Sequence, residues 1–77
     1  MTIQVIDIAF VEITTQNGTY LQYYKTIVAQ KYRSYVYVNP MLFDLMPRFH
    51  DIITPICGPS SRWIISSEAL GAELEAI

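Results

Sequence analysis

Hydrophobic and polar positions change their spacing once along this chain, near Asn39-Pro40. Before that point β-branched and aromatic residues dominate; after it Met, Leu, Phe and Asp take over. The first part predicts strands and the second mostly helix. Ile3 to Thr14, "IQVIDIAFVEIT", is rich in Ile and Val and free of Gly and Pro, so it reads as one long strand. Asn17-Gly18 then carries a strong hairpin signal, because both central residues of a type I′ turn need positive φ.

With Asn17 and Gly18 central, Gln16 faces Thr19, Val11 faces Tyr24, Ile8 faces Ile27 and Ile6 faces Ala29. Register assigns faces. One face collects Ile6, Ile8, Phe10, Leu21, Ile27 and Ala29 as the predicted core, with Glu12 and Lys25 diagonal near its edge. The other mixes Ile3, Val5, Val11, Ile13 and Val28 with Asp7, Gln22, Thr26, Gln30, Tyr20, Tyr24 and Tyr32. A third strand, Arg33 to Asn39, requires a reversal at Gln30-Lys31, although no Gly, Asn or Pro marks a turn there. That reversal sets Tyr24 opposite Tyr37 and Thr26 opposite Tyr35, and sends Val36 and Val38 to the core face. Five of the six tyrosines then share the second face, with Tyr23 alone on the first.

Leu42, Leu45, Met46, Phe49, Ile52, Ile53 and Ile56 recur at helical spacing and predict one buried stripe. Pro47 constrains this helix, since proline is tolerated in a first turn but costs about 3 kcal/mol inside. Two starts meet that constraint: Asp44 as the N-cap of a helix from Leu45, which is preferred, or an Asn39-capped turn followed by a kink. Thr54 to Ser61 reads as a loop, "RWII" as a short strand, and Ser67 as the cap of a last helix from Glu68. Gly71 weakens that helix and its short length leaves it dependent on docking through Leu70, Leu74 and Ile77. The expected fold is a small single α+β domain over residues 1–77: an antiparallel meander of three strands plus a short fourth, and two helices, in the order β-β-β-α-β-α.

Composition adds a requirement for association. A chain of 77 residues buries only about 60% of its unfolded surface on folding. Small domains are usually braced by disulfides, a metal or oligomerisation, and one cysteine and one histidine supply neither of the first two. Hydrophobic residues make up 52% and charged residues 16%, where an ordinary soluble domain has roughly 25% charged. A homo-oligomer is therefore expected. The N-terminal stretch lacks the pattern of a signal or transit peptide, and no apolar run reaches membrane-spanning length, so a cytoplasmic protein without a membrane contact is expected.

Candidate chemistry is sparse. His50, Asp51 and Cys57 suggest a thiolate activated by an imidazole, but His50 and Asp51 are adjacent on a predicted helix and no oxyanion site precedes Cys57. Ser60 and Ser61 beside Gly58-Pro59 read as turn residues. No phosphate-binding loop, nucleophile elbow, dinucleotide fingerprint or metal-ligand spacing occurs, so neither a cofactor nor an enzymatic activity is expected. The tyrosines are the sharper feature. A tyrosine-lined sheet can stack single-stranded nucleic acid, be covered by the protein's own helices, or contact another protein. A net charge of −2 and only five Lys and Arg argue against phosphate backbones. The expected site is thus a protein-binding face made by Tyr20, Tyr24, Tyr32, Arg33, Tyr35 and Tyr37. By profile alone this resembles adaptors, inhibitors and host-interaction proteins, including those carried by phages and mobile elements.

Overall fold

The structure, a computed structural model, describes residues 1–58, 62–66 and 70. Its strands are β1 (Thr2–Val5), β2 (Phe10–Thr15), β3 (Gly18–Tyr23), β4 (Thr26–Tyr32), β5 (Tyr35–Val38) and β6 (Arg62–Ile65), with one helix among the described residues, α1 (Met41–Cys57), between β5 and β6. They form one six-stranded sheet whose spatial order is the chain order. Every neighbouring pair is antiparallel except β5 with β6, which run parallel across the α1 crossover. The α+β class and the "RWII" strand are as the sequence predicts; the strand count and the turns are not.

The predicted first strand is broken at Ile6–Ala9. Asp7 breaks it: its Oδ1 accepts the Ile8 N–H at 2.6 Å, and its carbonyl accepts the Phe10 N–H at 3.3 Å. A carboxylate bonding its own neighbouring backbone is the usual way Asp competes with a strand ladder. Ile8, expected in the core, is consequently thrown out to 94% exposure, while Ile6 still packs against the core cluster. The predicted second strand is also two strands, reversing at Tyr24-Lys25. Tyr24 there takes φ 53°, a conformation that costs a non-glycine residue about 1 kcal/mol or more.

Both predicted turn positions are displaced. Thr15 pairs with Gly18, so Gln16 and Asn17 are central, and the third reversal lies at Arg33-Ser34 rather than Gln30-Lys31. Val11 therefore faces Gln22, not Tyr24, and Tyr37 faces Gln30. Lys25 sits in a turn, so the expected Glu12–Lys25 diagonal does not form. A turn that slides along the chain shifts every partner by twice that distance, here by an even number of residues each time, which changes partners but keeps faces, because side chains alternate with period two. Phe10, Leu21, Ala29, Val36 and Val38 do line the buried face together.

A bulge between Leu21 and Gln22 alters one strand's alternation. Leu21 pairs with Ala29 but Gln22 pairs with Ile27, leaving Val28 as the extra residue. Bulged residues lose the strict alternation of a strand, and Val28 and Ala29 are both buried in the same cluster. Ile27 is only half-buried, opposite Gln22. The core placement expected for Ile27 thus belongs to Val28.

Helix α1 starts four residues before the preferred Leu45, and Asn39 rather than Asp44 tethers it. The Asn39 side-chain oxygen accepts the Met41 N–H at 2.9 Å and its carbonyl accepts the Leu42 N–H at 2.8 Å. Pro47 and Pro55 both lie inside the helix, and at Phe49 the backbone leaves helical geometry with φ −119° and ψ 28°. The kink is attributable to Pro47, which has no N–H for the Phe43 carbonyl. The expected loop at Thr54 is helical through Cys57. Leu42, Leu45, Ile53 and Cys57 dock on the sheet, and Phe10 meets Phe49 edge-on at 5.0 Å between ring centroids. The Ser67-capped helix, Leu74 and Ile77 lie outside the described residues; Leu70 is half-buried.

Two substitutions check this packing. At Gly18, φ is 106° and a Cβ would stand 2.1 Å from the Lys31 carbonyl oxygen, so Gly18→Ala is expected to destabilise by at least about 2 kcal/mol in urea titrations. The Thr54 hydroxyl is buried without a hydrogen-bond partner. Thr54→Val, which removes an unsatisfied group of similar shape, is expected to raise stability by about 1 kcal/mol in the same assay.

Candidate functional site

The meander has two ends, with the turns at Gln16-Asn17 and Arg33-Ser34 at one and those at Ile6–Ala9 and Tyr24-Lys25 at the other. The second sheet face, away from α1, carries Ile3, Val5, Val11, Ile13, Tyr20, Gln22, Gln30, Tyr32, Tyr35, Tyr37 and Ile64, as the register places them. Its middle is closed. Tyr20 has no exposed surface and Ile13 only 7%. The Gln30 side-chain amide donates to the Tyr20 hydroxyl at 3.1 Å and to the Asn17 carbonyl at 3.1 Å. Tyr20 is thus a core residue that ties a strand to a turn.

The six expected contact residues therefore separate. Tyr24 leaves the face altogether: it sits at the far turn, 60% exposed, with its ring edge-on to Tyr23 at 4.7 Å. Tyr23 itself packs on Phe10 and Phe49 below the helix. Tyr32, Arg33, Tyr35 and Tyr37 stay together around the β4–β5 hairpin. Tyr32 and Tyr35 are directly opposite each other and each 40% exposed. Arg33, at φ 59°, holds its guanidinium 5.3 Å from the centroid of the Tyr32 ring, a cation–π distance. Tyr37 is half-buried and lines an open depression of about 410 Å³ with Gln30, Ile64, Ile65, Ser66 and Leu70.

Sequence reasoning missed Arg62. It pairs with Tyr35 in the parallel register and its N–H donates to the Ser34 carbonyl at 2.9 Å. Tyr32, Tyr35 and Arg62 thus form a row across three strands, with Arg33 at the tip. Asp7, expected on the second face, belongs to the turn at the other end of the sheet. No signal short of the parallel β5–β6 pairing could have brought Arg62 in. Also missed is the exposed apolar margin at β1, where Ile3 is 59% and Val5 72% exposed; those two read as part of the mixed second face of one long first strand.

His50, Asp51 and Cys57 are not assembled as a catalytic group. His50 and Asp51 are solvent-exposed neighbours 3.7 Å apart, whereas Cys57 is 1% exposed inside the core cluster. Burial pushes its thiol up to about 11, against a smaller opposing pull from the Lys31 ammonium. Such a thiol is protonated at neutral pH and a poor nucleophile. Among the described residues no three His, Cys, Asp or Glu side chains gather as a metal site, and no helix is long and apolar enough to cross a membrane. Comparison with protein-family models, with curated proteins and with solved structures found no match.

The thiol gives a pH prediction. Its folded value of about 11 lies above the unfolded 9.0, so its contribution to stability is complete below pH 9 and is lost between about pH 9 and 11. Denaturation midpoints should fall across that window, and the fall should be shallower in Cys57→Ala. An equal fall in both proteins would remove Cys57 as its cause.

Proposed function

We propose that this chain is a small interaction module, an adaptor or inhibitor that acts by binding a partner protein through the Tyr32-Arg33-Tyr35 hairpin tip and the Arg62 beside it. The observation that supports this is the clustering of two half-exposed tyrosines and a ring-stacked arginine on one hairpin. Tyrosine and arginine dominate the energetics of protein interfaces, because each offers large contact area together with a polar group for the wet rim. Tyr37 extends the patch toward the depression lined by Ile64 and Leu70. Tyr20 and Tyr24 are not part of it. The action involves no cofactor and no bond chemistry, and a cytoplasmic, phage- or mobile-element-type role belongs to the same proposal.

The row of Tyr32, Tyr35 and Arg62 also resembles, on a small scale, a base-stacking platform, so one experiment has to decide between the two. Tyr32→Ser/Tyr35→Ser is expected to keep its circular-dichroism spectrum and cooperative unfolding while losing at least tenfold in affinity for a partner recovered by pull-down and re-tested as a purified protein. A labelled single-stranded oligonucleotide, titrated at low salt, is expected to bind the wild type no better than the variant. Unchanged partner affinity would refute the proposal. Micromolar oligonucleotide binding that falls steeply with salt and disappears in the variant would replace it with the stacking reading.

A further inference from the structure

A second surface, distinct from the tyrosine patch, lies at the free edge of β1. All four of its residues, Thr2 to Val5, are exposed, and among the described residues β1 is hydrogen-bonded to β2 alone. Ile3 is 59% exposed and Val5 72%, flanked by Met1 at 74% and Ile8 at 94%. Sheet edges are normally protected from pairing by charges, proline or bulges. Thr-Ile-Gln-Val has neither charge nor proline, and its register with β2 runs without a bulge. The opposite edge differs, since β6 begins with Arg62.

We infer that the β1 edge pairs with the β1 edge of a second copy of this chain, antiparallel across a twofold axis, so that the two sheets become one continuous sheet. Residues directly opposite in an antiparallel pair share a face. A twofold axis that preserves the two faces must therefore pass through a pair of identical residues. With Gln4 opposite Gln4 of the second copy, Ile3 meets Val5 on both sides of the axis, and these apolar pairs continue the Ile13 and Val11 rows of β2.

Area and charge both fit this occupant. Covering the exposed surface of Met1, Ile3, Val5 and Ile8 in two copies removes on the order of 1,000 Å² from water, the lower limit for a specific interface. The strand itself is uncharged. Glu12, which neighbours Gln4 in the register, would lie three strand spacings from its counterpart, roughly 14 Å. That separation exceeds the screening length of about 8 Å at physiological salt. A head-to-tail pairing of β1 with β6 would not close and would instead propagate.

Light scattering during size exclusion, over a dilution series from micromolar to submillimolar protein, should give a dimer that dissociates on dilution. Ile3→Lys/Val5→Lys should weaken dimerisation at least tenfold, with Ile3→Thr/Val5→Thr as a milder variant that keeps strand propensity should the lysines disturb folding. Gln4→Cys in a Cys57→Ser background should form an intermolecular disulfide under mild oxidation, whereas Thr2→Cys should not. Tyr32→Ser/Tyr35→Ser should leave the dimer intact, so loss of the tyrosine-patch proposal would not touch this one. A monomer at every concentration, growth beyond a dimer, a dimer indifferent to the β1 variants, or one dissolved only by the tyrosine variant would each overturn the inference.

Discussion

The junction between the β-bulge and the start of the helix constrains everything around it. Val28, the extra residue opposite Leu21 and Gln22, is inserted between the paired positions of β4. Its carbonyl accepts the Asn39 N–H at 2.9 Å. Asn39 in turn satisfies the first two N–H groups of α1 with its side chain and its own carbonyl. One backbone irregularity thus buries Val28 beneath the helix and fixes where that helix leaves the sheet. A helix end without such partners leaves its first N–H groups open to water. Here the sheet itself supplies them through one asparagine, and the stripe from Leu42 to Cys57 is aimed across Phe10, Leu21 and Val36.

Helix packing on one face leaves the other face to be closed by different means. Tyr20 and Ile13 lie outside the helix-side cluster yet are buried, and Gln30 anchors the Tyr20 hydroxyl to the Asn17 carbonyl. Away from this closed middle the face becomes apolar and accessible at its two sides, with Ile3 and Val5 at one and Tyr32, Tyr35 and Ile64 at the other. The side with tyrosines carries Arg33 and Arg62, and the side with β1 carries no charge on the strand. That difference in chemistry underlies the two different contacts proposed for the two sides.

Class, the main face assignments and the β6 strand were legible in the sequence because they rest on period-two alternation, which survives any even register error. The breaks were not. Tyr24-Lys25 and Arg33-Ser34 reverse the chain without glycine or asparagine, each placing a bulky residue in the left-handed region, so turn chemistry gave no signal there. Asp7 was visible, but a single aspartate inside "IQVIDIAFVEIT" does not outweigh the strand propensity around it until its side chain is seen bonding Ile8. The bulge at Val28 is a property of paired strands and has no local signature. The expected patch suffered accordingly: Tyr32, Arg33, Tyr35 and Tyr37 do lie together, Tyr24 was separated by an unseen turn and Tyr20 by burial, and Arg62 waited on a parallel pairing.

Because the strands lie side by side in the order they occur along the chain, pairing from β1 through β5 closes only short loops, and loop-closure entropy stays small. Such local topology favours fast folding by successive hairpin closure. The β5–β6 ladder is different in kind, since residues 39 to 61 must first be arranged before Arg62 can find Ser34 and Ser66 can donate its N–H to Val38. By the same loop-closure argument that edge is expected to be gained last as the chain folds and lost first in a partial opening. Trp63, half-buried on β6 with its indole N–H directed at Gly58 at 3.4 Å, is placed where its fluorescence reports that opening separately from the meander beneath it.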